Sequence, residues 1–273
     1  MKPSTTMQSK IYPGLGYCIY CSQPFPEDQL TQEHIVPFAL NGTLIFKNAA
    51  CQPCQRRSNE RYENAALQKD LLVPRLLLEL DRRHKKNKKR FPPVSRENAA
   101  ENESATFTLE LELAQYPPMF SMVQLLPPGR LAGVERGGVL SGFRIQEVAI
   151  PRPRTFASCT VNTRHAHDHT PFGLTVAKIG FCFAIAERGL DAIDVSELRA
   201  LLLGERDDLY NFVGSSTESG GGKSVHLHWL SLVQISGYWV ARVNLFASFG
   251  VTPYLVVLGP TVGTSAGRPQ AKT

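Results

Sequence analysis

The stretch "LTQEHIVPFALNG", residues 30–42, sets an acid directly against a histidine, Glu33-His34, with Pro37 three residues on. Its flanks decide how it is read. Upstream lies "CIYC" and downstream lies "FKNAACQPCQ", which carry two identical knuckles, Cys18-x-x-Cys21 and Cys51-x-x-Cys54. A Cys-x-x-Cys turn aims two thiolates at one ion, and two such turns complete a tetrahedral four-cysteine zinc site. The 29 residues between the knuckles exceed the roughly 15 to 20 of an ordinary zinc ribbon. The intervening segment, with Glu33, His34, Pro37, Gly42 and Asn48, therefore reads as a structured insertion held by Zn2+.

These residues resemble the HNH nuclease family, the ββα-metal or His-Me finger group. The matching pattern is Cys18-x2-Cys21, Leu30-Thr31-x-Glu33-His34-Ile35-Val36-Pro37, Gly42, Asn48 and Cys51-x2-Cys54, over residues 17 to about 62. More narrowly, it is similar to a bacterial subgroup with a Glu-His-Ile-x-Pro core. The downstream segments "AKIGFCFAIAERG" and "LFASFGVTPYLVVLG" resemble the domain that accompanies such modules. The resemblance implies a treble-clef-like, zinc-stapled ββα-metal module and a metal-dependent endonuclease acting on nucleic acid, DNA first.

The residue types suit that chemistry. Phosphodiester hydrolysis needs a base to activate water and a cation to stabilise the leaving oxygen. A histidine titrating near about 6.5 suits the base, and His34 is the candidate. On a strand, neighbouring side chains point to opposite faces, so Glu33 is expected to hold Mg2+ or another divalent cation while His34 faces water. By resemblance, Asn48 pins the loop and orients His34, a task suited to an amide that both donates and accepts. The helix after Cys54 is then expected to bring the last metal ligand. Most relatives place Asn, His or an acid directly after the last cysteine; this chain has Gln55, with Asn59 one turn further on. Arg56, Arg57 and Arg61 on the same helix are expected to contact phosphates.

The net charge of +6 is concentrated in "RRHKKNKKR": Arg82, Arg83, Lys85, Lys86, Lys88, Lys89 and Arg90. Beside a phosphodiester site this run reads as a phosphate-binding arm. The expected organisation is a tail over 1–16, the nuclease module with its helix over 17–81, a basic and polar linker over 82–104, an α+β domain over 105–260, and a tail over 261–273. The fold class is accordingly α+β. The amino terminus lacks the hydrophobic segment of a signal peptide, and no apolar run reaches the roughly 20 residues of a membrane helix. A cytoplasmic chain without a membrane partner is expected.

Helical character begins at about Gln55, with a kink or split expected at Pro74. "TFTLELELA" and "GFRIQEVAIP" read as strands, and "GLTVAKIGFCFAIAERG" as a buried helix ending at Gly189. "DVSELRALLLG" reads as a helix with Asp194 and Glu197 forming a capping box and a stop at Gly204. "SVHLHWLSLVQISGYWVARVNLF" reads as a hairpin turning at Ser236-Gly237, and "PYLVVLG" as a buried strand. Cys159 and Cys182 read as small buried hydrophobes. His165, His167 and His169 share i, i+2, i+4 spacing, which one face of a strand could gather into a second metal site, with solvated or nucleic-acid-facing histidines the default reading; the spacing of His226 and His228 follows from strand alternation. The glycine run before Lys223 lacks a phosphate-loop frame. Two rival functions stand beside the nuclease: a non-catalytic zinc protein that binds nucleic acid, and an interaction or sensor protein acting through residues 105–260.

Overall fold

The structure is a computed structural model that describes residues 9–80, 94–97, 106–109, 116–151, 168–217 and 224–261. The basic run 82–90, Cys159, His165, His167 and Lys223 lie outside the described residues. Helices and strands are mixed throughout, so the chain is α+β.

The amino-terminal part is a three-stranded sheet followed by a broken helix. Strands β1 (Lys10–Tyr12), β2 (Leu30–His34) and β3 (Leu44–Cys51) lie in the order β1-β3-β2, with β1 parallel and β2 antiparallel to β3. Lys10–Tyr12 falls where the sequence suggests a loose tail; Tyr12 is buried and its hydroxyl donates to Glu187, which fixes the strand. Helix α1 (Gln52–Ser58) leads into a π-helical turn (Asn59–Glu63) and then α2 (Asn64–Gln68). The chain breaks at Lys69–Leu71 before α3 (Leu72–Leu77). The break precedes Pro74, which has no N–H to offer the carbonyl of Asp70, so a continuous helix cannot cross that point.

Strands β4 (Val94–Glu97) and β5 (Thr106–Leu109) pair antiparallel, the first inside the expected linker and the second at the start of "TFTLELELA". Strand β6 (Met119–Leu125) pairs antiparallel with β7 (Phe143–Ala149), and a single turn, α4 (Gly129–Ala132), lies between them. Helix α5 (Thr170–Arg188) is followed by α6 (Ser196–Leu203) and α7 (Leu209–Phe212). The last sheet has the order β8-β11-β10-β9, built from Val213–Ser215, Trp229–Ile235, Tyr238–Asn244 and Tyr254–Pro260 as β8 to β11. Ser236 and Gly237, both at positive φ, turn the β9–β10 hairpin as expected.

Helix α5 is the centre of the molecule. It is 19 residues long and, by length and composition, apolar enough to cross a membrane, which the sequence reading did not expect. However, 78% of that stretch is buried inside the protein. One face packs on the sheet through Gly180, where a Cβ would come within 3.0 Å of the Val256 side chain. The opposite side meets the π-helical turn and α2. One continuous set of buried side chains runs from Tyr12, Ile19 and Phe46 through Tyr62 and Phe181 to Val256 and Leu258. The amino-terminal segment, short as it is, therefore shares a core with the residues after 168.

Polar contacts close the same joint. His228 lies between Leu40 and Phe246: its Nε2 donates to the Leu40 carbonyl at 2.7 Å, and its Nδ1 accepts from the Phe246 N–H at 3.2 Å. His169, the described member of the histidine triplet, is buried at 2.6 Å from the Asp70 carboxylate rather than solvated. The Tyr20 hydroxyl meets the buried Cys182 sulfur at 3.3 Å.

Candidate functional site

The first knuckle is a tight turn: the Ser22 N–H donates to the Cys18 carbonyl, and the Cys18 N–H donates to the Gln23 carbonyl. Cys51 ends β3 and begins α1, and Cys54 lies in the first turn of that helix. The four Sγ atoms all lie within 4.8 Å of one another, with Cys21 and Cys51 4.0 Å apart. A tetrahedron of thiolates about 2.3 Å from zinc has edges of about 3.8 Å, so the four cysteines fit one such ion. The Cys54 thiol hydrogen-bonds to Cys18 and holds it down at about 4, while the same contact pushes Cys54 up. Four crowded sulfurs cannot all ionise without a dication.

Glu33 and His34 occupy opposite faces of β2, as strand geometry requires. Glu33 is buried, whereas His34 is half-buried, its ring against Phe38 and its Nε2 3.3 Å from the Gln32 amide nitrogen. Asn48 sits in the bulge of β3. Thr31 pairs with Ala50 and Glu33 with Phe46, so Lys47, Asn48 and Ala49 all stand across from Gln32 alone. Its φ of 47° is left-handed, a conformation that Asn tolerates better than most side chains.

The buried face of β2 holds a contact that the sequence reading missed. The Lys178 ammonium, from the middle of α5, lies 2.5 Å from Glu33 Oε1 and 3.0 Å from Glu63 Oε2, and donates to the His34 carbonyl at 2.8 Å. Burial pulls Lys178 toward the neutral form, but Glu33 and Glu63 outweigh it and hold its pKa well above the ordinary range. The signal was a single lysine in a helix otherwise apolar all round; such a lysine needs a buried partner. Glu33 Oε2 is buried with no hydrogen-bond partner among the described residues.

Along the helix, Gln55 donates from its amide to the Gln32 carbonyl at 3.0 Å, tying α1 to β2. Asn59 is half-buried where the π-helical turn begins. Arg56, Arg57 and Arg61 line an open groove of about 630 Å³ with Gln52, Pro53 and Glu60. Arg61 also donates to the carbonyls of Leu201 and Leu202 at the end of α6, against Gly204. At that position, φ is 81° and a Cβ would press within 2.9 Å of the guanidinium. Arg56 and Arg57 are exposed.

Residues 18–71 match the family model described as HNH endonuclease. No curated protein and no solved structure matches the chain. The matched segment thus contains the four-cysteine cluster, His34, Asn48, Gln55 and Asn59, while Lys178 reaches it from outside. Among the described residues, the four cysteines are the one group of His, Cys, Asp or Glu placed to share an ion. A second, catalytic cation fits this arrangement poorly: a hard dication favours carboxylates, and the Glu33 carboxylate faces the core and Lys178. The Gln32 amide lies beside the His34 ring, and the Gln55 amide is taken up by the Gln32 carbonyl.

Proposed function

We propose that this chain is a zinc-stapled HNH endonuclease of treble-clef-like build that hydrolyses phosphodiester bonds, with DNA as its substrate and His34 as its general base. The observation that carries the reading is the placement of His34. Within the HNH segment, its imidazole lies on the outer face of β2, opposite the buried Glu33 and beside the amide of Gln32. A neutral imidazole there can take a proton from water as the water attacks phosphorus. The Gln55 bond to β2 holds the strand against α1, so the base keeps its place relative to the exposed Arg56 and Arg57. Those guanidiniums suit phosphate oxygens, and the basic run of residues 82–90 adds affinity that falls with salt.

Incubation of supercoiled plasmid with the zinc-loaded protein and Mg2+ or Mn2+ tests the reading. Nicked or linear product is expected. Retarded but intact plasmid would instead favour a zinc protein that binds nucleic acid without cutting it.

A further inference from the structure

We propose that Lys178 is a positioning residue for His34, acting from behind the strand that carries it. Strand β2 is an edge strand, so the carbonyls on its outer side have no strand to accept from. Two of them, Gln32 and His34, are satisfied by side chains instead: Gln55 donates to the first and Lys178 to the second. An ammonium has three N–H bonds. Those of Lys178 are matched by three acceptors: Glu33 Oε1, the His34 carbonyl and Glu63 Oε2.

This arrangement separates positioning from catalysis. Lys178 is 1% exposed and has no donor left for a phosphate, so it does not touch the substrate. It fixes the peptide plane that leaves His34, and the peptide plane sets the direction of the imidazole on the other face. The lysine is itself buried, two residues from the Gly180 contact with Val256 that seats α5 on its sheet. Glu33 and Glu63 approach from the strand and from the π-helical turn, so three elements meet at one nitrogen. Glu33 is then a counter-ion of Lys178, and its buried position follows from that task. Misplacing a reacting group by about 1 Å costs on the order of a hundredfold in rate, which is the leverage such a device has.

The kinetic part of this inference rests on the nuclease reading; the structural part does not. The test uses the full-length, zinc-loaded chain as wild type, Lys178→Met, and a control of comparable core damage in the far sheet, Leu258→Ala. Two quantities are read: kcat and KM for plasmid cleavage with Mn2+, and the ring signals of His34 in a 13C–1H spectrum, assigned with His34→Gln. Lys178→Met is expected to lower kcat about tenfold or more with KM within about twofold, and to shift or broaden the His34 ring signals. Leu258→Ala should do neither. If Lys178→Met fails to fold, Glu63→Gln replaces it, with a smaller shift of the same signals expected. Should wild type not cut, the nuclease reading falls and the ring signals alone decide. Ring signals and kcat in the lysine variant equal to those of Leu258→Ala would overturn the proposal.

Discussion

Lys178 Nζ and Glu33 Oε1 are 2.5 Å apart, 1% and 6% exposed, and separated by 144 residues between α5 and β2. Breaking a buried pair by removing one partner strands the other charge, which costs about 3–5 kcal/mol. Lys178→Met is expected to lower the urea unfolding free energy by that order. Adding Glu33→Gln to Lys178→Met should recover part of the loss, because the more buried of the two stranded carboxylates, Glu33 and Glu63, is gone. A double variant less stable than Lys178→Met would show that the two side chains do not act as a pair.

Zinc removal should be felt well beyond the knuckles. One zinc per chain is expected by metal analysis, and Cys51→Ser should lose it. Because Ile19, Phe46 and Tyr62 share their core with Phe181 and Val256, the thermal transition should stay single and move down as a whole. Two separate transitions on chelation would contradict the shared core.

His228 gives the joint a pH dependence. Full burial drives its pKa down from 6.5 to about 4. A group with a depressed folded pKa contributes its full stability above the unfolded value and loses it as pH falls toward the folded one. The contribution should therefore be complete above about pH 6.5, fall as the medium is acidified toward pH 4, and amount to about 3 kcal/mol. Unfolding free energies of wild type and His228→Gln, measured from pH 7 to 4, check this. The variant should show the shallower slope, and equal slopes would refute the assignment.

Asn48 combines a backbone task with an expected chemical one. Its left-handed φ of 47° costs an ordinary side chain about 1–2 kcal/mol. Asn48→Gly should stay within about 1 kcal/mol of wild type, while Asn48→Val should lose more. If the amide also orients His34, Asn48→Gly keeps its melting temperature and zinc yet cleaves more slowly. Wild-type rates in Asn48→Gly would leave Asn48 with the backbone task alone.

What could be read from the sequence was what depends on neighbours in the chain. The knuckles, the Ser236-Gly237 turn and the end of α5 at Gly189 all follow from local spacing or backbone freedom, and all appear as expected. The capping box expected at Asp194 does not form, and Val195 is the N-cap of α6. Asp194 Oδ1 accepts from the Ser196 N–H, but Glu197 is drawn away by Arg130 and Arg206. The helix after Cys54 breaks just before Pro74 and acquires a π-helical turn that packs against α5, a partner its own segment does not reveal. The inward turn of Glu33 could not be foreseen from its own segment, because the residue that claims it lies on a helix far along the chain. The same holds for Arg61, expected on phosphate and found on the end of α6.

The most direct measurement is the cleavage rate of His34→Ala on supercoiled plasmid, with zinc content and melting temperature confirmed against wild type. Loss of a general base is worth roughly 10²–10⁴ in rate. We expect the folded, zinc-replete variant to lose activity by that order while still retarding DNA in a gel. Cleavage by His34→Ala at the wild-type rate would contradict the account.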